Sequence, residues 1–126
     1  MVTFTSALRA RSDAELVELL RRRPDLASPS PSTFASLAVR ATSRAGLERA
    51  LARQDATCLQ VLEAVVALGE PVDAAAVLDA LAGPQAPQDV QAQVQRALAD
   101  VQVAALVWAD EDGLHAAPGL AEQLGP

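Results

Sequence analysis

The chain contains no lysine, a single cysteine (Cys58), a single histidine (His115) and three aromatic residues, Phe4, Phe34 and Trp108. Each scarcity closes a class of function. A P-loop ends its glycine-rich turn in a Lys that reaches the phosphates, so nucleotide hydrolysis by that route is excluded. Cys58 has no partner for an internal disulfide, which points to a cytoplasmic location, and Cys58 with His115 falls short of the four ligands of a structural zinc site. A Ser-His-Asp arrangement would have to use His115, and no G-x-S-x-G elbow offers it a serine. Cys58 sits in an apolar helical stretch, the usual setting of an inert thiol. The expectation is a protein with no catalytic residue, no cofactor and no metal. With so few aromatics the core must be built from Leu, Val and Ala, which suits closely packed helices, and the scarcity argues against a stacking platform for single-stranded nucleic acid. No apolar run approaches the ~20 residues of a membrane span, and the N-terminus lacks a signal-peptide core.

What remains is an apolar content of 51%, too high for disorder, in a length that suits one domain or two small units sharing a core. The net charge of −6 is unevenly placed. Residues 1–53 hold nine Arg against five acids, and residues 54–126 hold Arg96 alone against eleven acids. Such asymmetry suggests a basic face near the start and an acidic one behind it, or two surfaces that attract each other.

The stretch "RSDAELVELLRRRPDL" opens with a capping box, Ser12 with Glu15, and stops at Pro24 after Arg21-Arg22-Arg23, whose charges suit a helix C-terminus. "ASPSPS" (27–32) reads as a turn. "TFASLAVRA" predicts a short helix with Phe34, Leu37 and Ala38 inward, and "SRAGLERALARQ" a second one capped by Ser43. From Asp55 onward the pattern changes. Residues 56–68 are apolar on most sides, with Gln60, Glu63 and Ala67 as the outward stripe, and Gly69 and Pro71 end the helix. Asp73 caps a helix over 74–82, closed by Gly83-Pro84. Val90, Val94, Leu98 and Val101 mark a third helix over about 89–102.

"AALVWA", "DEDG" and "LHAA" then give two short apolar runs around an Asp-Gly turn, a hairpin over 105–117. "PGLAEQL" adds a last helical turn. Three helices followed by a hairpin is the order of a winged helix. In that frame Asp110-Glu111-Asp112-Gly113 is the wing tip, with Gly113 accepting a positive φ, rather than a calcium loop. A calcium loop would need further oxygen ligands where the chain supplies Leu114, Ala116 and Ala117. Alternation turns Leu114 and Ala116 inward and His115 outward, and Trp108 reads as a packing residue.

The third helix stands where a winged helix would read DNA. Its outward stripes carry Gln88, Gln91, Gln95 and Gln102, flanked by Asp89, Gln93, Arg96 and Asp100. Gln can pair with adenine, yet affinity for DNA rests on phosphate neutralisation, and one Arg faces two Asp. Contacts to nucleic acid or to a partner would therefore fall to Arg9, Arg11, Arg21, Arg22 and Arg23, with Gln91, Gln95 and Arg96 as the candidates on the helix.

Taken together, "LRARSDAELVELLRRRPDL", "FASLAVRATSRAGLERAL" and "VLEAVVALGEPV…VQRALADVQVAALVWADEDGLHAAPGL" resemble the N-terminal region of actinobacterial helicase-associated proteins, a family grouped with XPB-type DNA-repair helicases. The resemblance covers nearly the whole chain and implies a segment that precedes other domains of a protein in nucleic-acid metabolism. No helicase motif lies in these residues. The expectation is a mainly α protein, an N-terminal helical subdomain (1–54) packed on a winged-helix domain (55–126). Its role would be a non-catalytic interaction or positioning module of a helicase-associated protein in DNA transactions. Its partners would be the other domains of the parent or a separate protein. The alternatives are direct DNA binding through the basic half, weak and without sequence preference, and a winged-helix transcription regulator.

Overall fold

A computed structural model describes residues 2–125. Among them the chain is mainly helical, with one two-stranded antiparallel hairpin. The order is α1 (Phe4–Arg9), α2 (Asp13–Arg22), a 3-10 turn (Pro24–Ala27), α3 (Phe34–Ala41), α4 (Arg44–Ala52), α5 (Ala56–Leu68), α6 (Ala74–Ala82), α7 (Gln88–Val103), β1 (Val107–Asp110), β2 (Gly113–Ala116) and α8 (Leu120–Leu124).

Local chemistry explains most boundaries. Ser12 Oγ accepts from the Glu15 N–H at 3.2 Å while the Glu15 carboxylate accepts from the Ser12 N–H at 2.9 Å, the reciprocal bonds of a capping box. Ser43 caps α4 and Asp55 caps α5, the latter accepting the Cys58 N–H at 2.8 Å. Asp73 occupies the cap position of α6, but its carboxylate makes no capping bond, a correction to the expected cap. The helix α1 was not foreseen. Its capping box pairs Thr3 with Ser6, without the Glu or Gln that usually signals one.

On α5, Cys58, Val61, Leu62 and Val65 are buried, and Gln60, Glu63 and Ala67 form the exposed stripe that the 3.6-residue period requires. The helices α5, α6 and α7 pack on one another, and the hairpin packs on α5 and α7. Val77, Val94, Leu98, Val101, Leu106, Val107 and Leu114 complete this core. The same cluster continues without a break into Phe4, Leu8, Leu19, Leu26 and Leu47, so apolar burial ties the first four helices to the rest.

The hairpin aligns Trp108 with His115 and Ala109 with Leu114. Val72, between α5 and α6, exchanges two backbone hydrogen bonds with Leu114, at 3.0 and 2.8 Å, and so adds a one-residue third strand on the far side of β2. That contact needs Gly113: its φ is +138°, and a Cβ there would stand 2.9 Å from the Val72 carbonyl oxygen.

The end of α7 sets the geometry of everything that follows. The Leu106 N–H donates to Val101 O at 3.0 Å and the Ala105 N–H to Gln102 O at 3.1 Å, the two bonds of a Schellman cap. Its left-handed residue is Ala105, at φ 59°, where glycine is usual. The cap turns the chain sharply into β1.

Candidate functional site

The last turn of α7 carries no basic residue. A helix end that meets other elements must nevertheless have its carbonyls and its negative dipole end satisfied. The first half of the chain does this. Arg11 donates to Gln102 O at 2.6 Å and to Val103 O at 2.9 Å. Arg23, only 1% exposed, donates to Ala104 O at 3.1 Å. With the Schellman bonds, the carbonyls of residues 101–104 are all paired. Arg22 adds an ion pair to Asp100 of α7 at 3.1 Å, and a second to Glu18 at 3.4 Å.

Arg23 is the centre of this clamp. The residue lies just past the end of α2 with non-helical torsions, so its side chain leaves the helix surface and enters the core. Besides Ala104 O it donates to Ala41 O, at the end of α3, at 2.7 Å and to Gly46 O at 3.3 Å. One guanidinium thus serves the negative ends of two helices, α3 and α7. Burial pulls it down to about 10, with Asp25 opposing the shift, so the group remains charged at neutral pH. Gly46 permits the approach of α4 to α3, because a Cβ there would collide with the Arg40 carbonyl oxygen.

These positions correct the expected contact surface. Arg23 is sealed in the core and can touch no nucleic acid or outside partner. Arg11 and Arg22 are half-buried and engaged within the fold. Arg40 donates to Leu26 O and Pro29 O, and Arg53 to Arg22 O. Arg9 is exposed and stands 5.9 Å over the Phe34 ring; Arg21 is exposed beside Glu18. On α7, Gln95 and Arg96 are exposed, whereas the Gln91 side-chain amide donates to Ala86 O at 2.9 Å and closes the loop before the helix. The structure therefore brings Arg11, Arg22 and Arg23 together, but facing inward. Sequence reasoning missed this, although α7 offered a signal: a long helix leading into a core strand with no basic residue and no glycine at its end.

The hairpin forms the second polar cluster. Asp110 Oδ1 accepts the Asp112 N–H at 2.9 Å, the local bond that shapes an Asp-initiated turn. His115 faces away from the core but is not free. Its ring stacks on Trp108 with centroids 4.3 Å apart, and its side chain is 18% exposed. His115 Nε2 lies 3.0 Å from Asp110 Oδ2, an ion-pair distance outside the line of a hydrogen bond, and Nδ1 lies 3.7 Å from Glu70 Oε1. Contact with His115, then the N–H groups of the turn, holds the Asp110 carboxyl below the usual carboxylate range. Glu70 also accepts the Ala116 N–H at 2.6 Å, fastening β2 to the α5–α6 loop beside the Val72 bridge. Among the described residues no group of three His, Cys, Asp or Glu side chains is arranged to hold a metal ion. Cys58 is buried, and burial followed by the neighbouring Asp55 carboxylate pushes its thiol up to about 11, which leaves it unreactive at neutral pH. No helix among the described residues is long and apolar enough to cross a membrane.

No protein-family model, curated protein or solved structure matches the chain.

Proposed function

We propose that the chain is a non-catalytic interaction and positioning module: a winged helix onto which an N-terminal helical unit is fastened, working within a helicase-associated protein of DNA transactions. The winged-helix assignment is supported by the succession α5, α6, α7 and hairpin, and by the Val72–Leu114 bridge, which supplies a short strand between the first two of these helices. The observation that carries the functional reading is the fate of the arginines. Arg11, Arg22, Arg23 and Arg40 spend N–H groups inside the fold, and of the exposed arginines Arg21 and Arg44 lie against Glu18 and Glu48, so the basic half offers fewer free cations to a phosphate backbone than its composition implies. The outer face of α7 does not replace them, because Arg96 there is accompanied by Asp89 and uncharged Gln88, Gln93 and Gln95.

The test is a fluorescence-anisotropy titration of labelled duplex and single-stranded DNA. At ~150 mM salt, binding should be no tighter than the ~10⁻⁴–10⁻⁶ M of nonspecific contacts. Nanomolar affinity for one duplex sequence, lost on replacing Gln95 or Arg96, would overturn the reading, because α7 would then be reading bases.

A further inference from the structure

His115 is the one histidine of the chain and Trp108 its one tryptophan, and the hairpin register sets them opposite each other. Their rings lie 4.3 Å apart and 19° from parallel, so one face of the imidazole is covered by the indole. Two carboxylates approach the ring nitrogens from different elements. Asp110, at the end of β1, stands 3.0 Å from Nε2, and Glu70, in the loop between α5 and α6, stands 3.7 Å from Nδ1. Neither contact has the geometry of a hydrogen bond, yet both have the length of an ion pair. A neutral ring gains little from such contacts. A charged one gains from both, and from the indole face as well. The other charged groups on the elements packed against the hairpin are exposed or engaged elsewhere. Glu111 and Asp112 at its tip, Glu63 of α5, and Asp89 and Arg96 of α7 are exposed. Arg9 of α1 lies over Phe34, and Asp100 of α7 pairs with Arg22. Arg11, Glu15 and Glu18 border a hollow beside Trp108, but each is bound: to α7 carbonyls, to the Ser12 N–H, and to Arg21 and Arg22 respectively.

We propose that His115 is a proton-operated latch between the hairpin and the α5–α6 loop. The loop holds β2 at two points, the Val72–Leu114 bridge and the Glu70 carboxylate, whose Oε1 accepts the Ala116 N–H. That same oxygen is the one that faces His115 Nδ1. Protonation therefore places an imidazolium between Asp110 on the hairpin and Glu70 on the loop, and both carboxylates gain a counter-ion at once. Loss of the proton removes that charge and leaves Glu70 held to β2 by a single backbone N–H. Asp110 supplies its half of the charge wherever an imidazole titrates, since its carboxyl is held below the usual range. The His115 side chain stays 18% exposed, so a proton can reach the ring without unfolding. The seating of the hairpin thus responds to pH in the range where imidazoles change charge. The latch is a property of the fold and stands whatever partner the chain takes.

Two readouts on the whole chain test this between about pH 8 and about pH 5.5, the window in which His alone among unperturbed side chains changes charge. Trp108 emission should fall as the pH is lowered, because an imidazolium stacked on an excited indole accepts an electron from it. Over the same window, hydrogen exchange corrected for its intrinsic rate should show the Ala116 N–H protected severalfold more at the acid end, relative to buried Leu62 of α5. His115→Gln should flatten both readouts. Glu70→Gln keeps an oxygen for the Ala116 N–H but no charge, so it should leave the emission change and remove the gain in protection. Circular dichroism will verify that both variants keep their helices. The parent alone can refute the latch. Constant emission would mean that no imidazolium forms against Trp108, and falling emission with constant Ala116 protection would mean a stack that fastens nothing. A gain in protection that survives either substitution would also overturn it, because another group would then be holding the loop.

Discussion

Replacing Arg23 by Met keeps an unbranched apolar stem in the core and removes the guanidinium that forms the clamp. In the native fold the Ala41 and Ala104 carbonyls, each at the end of a helix, accept no hydrogen bond but that of Arg23 among the described residues. The substitution leaves both buried and unpaired, at about 1–3 kcal/mol each. Part of this is offset, because burying the guanidinium itself carries a desolvation cost that Met does not. The net loss should be about 3 kcal/mol, a large fraction of the roughly 5–15 kcal/mol that holds a domain of this size together. In urea denaturation followed by circular dichroism, the midpoint should fall with the slope unchanged, and the melting temperature should drop by about 10 °C. Arg23→Lys keeps a charge but not the planar fork that reaches three carbonyls, and should recover less than half of the loss. Arg49→Ala, at an exposed site, should stay within about 0.5 kcal/mol of the parent. If Arg23→Met matched the parent to that margin, or if Lys restored full stability, the account of the clamp would be wrong.

Ala105 is buried at φ 59°. Glycine there should be close to neutral, since relief of left-handed strain, ~1–2 kcal/mol, is offset by chain entropy and a lost methyl contact. Valine, β-branched and without room, should cost about 2–4 kcal/mol by the same urea titration; a tolerated valine would refute the placement. Trp108 lies against the core and on His115, so its emission should be blue-shifted in the native protein and move to the red on unfolding, and Trp108→Ala should cost about 3 kcal/mol. Native emission already at the solvent value would contradict this. His115→Gln removes the main cause of the depressed Asp110 pKa, so the carboxyl should titrate at higher pH by carbon-detected NMR. A carboxylate with a lowered folded-state pKa contributes stability above its unfolded value and loses it as pH falls through the folded one. The stability difference between parent and His115→Gln should accordingly narrow in acid below about pH 4.

The elements that follow from local rules were legible in the sequence. Capping residues and the 3.6-residue period placed α2, α5, α6 and α7 within a residue or two, and the Asp-Gly turn placed the hairpin. The fates of Arg21, Arg22 and Arg23 were not, and the reason is geometric. Consecutive residues at a helix end point in different directions, so three identical side chains met three environments: solvent for Arg21, the carboxylates of Glu18 and Asp100 for Arg22, and three carbonyls in the core for Arg23. Composition made them look like one basic patch. Only the position of α7, set by contacts remote in sequence, decides which of them finds a carbonyl. The Val72 bridge was hidden for a related reason, since one residue between Pro71 and Asp73 has no period to read.

The charge asymmetry of the chain takes on a different meaning once those positions are known. With Arg23 in the core and Arg11 and Arg22 tied to α7, the basic half is less basic at its surface than its composition implies, while the carboxylates of the second half stay largely exposed. The field at long range is therefore acidic and opposes a polyanion that spans many ångströms of surface.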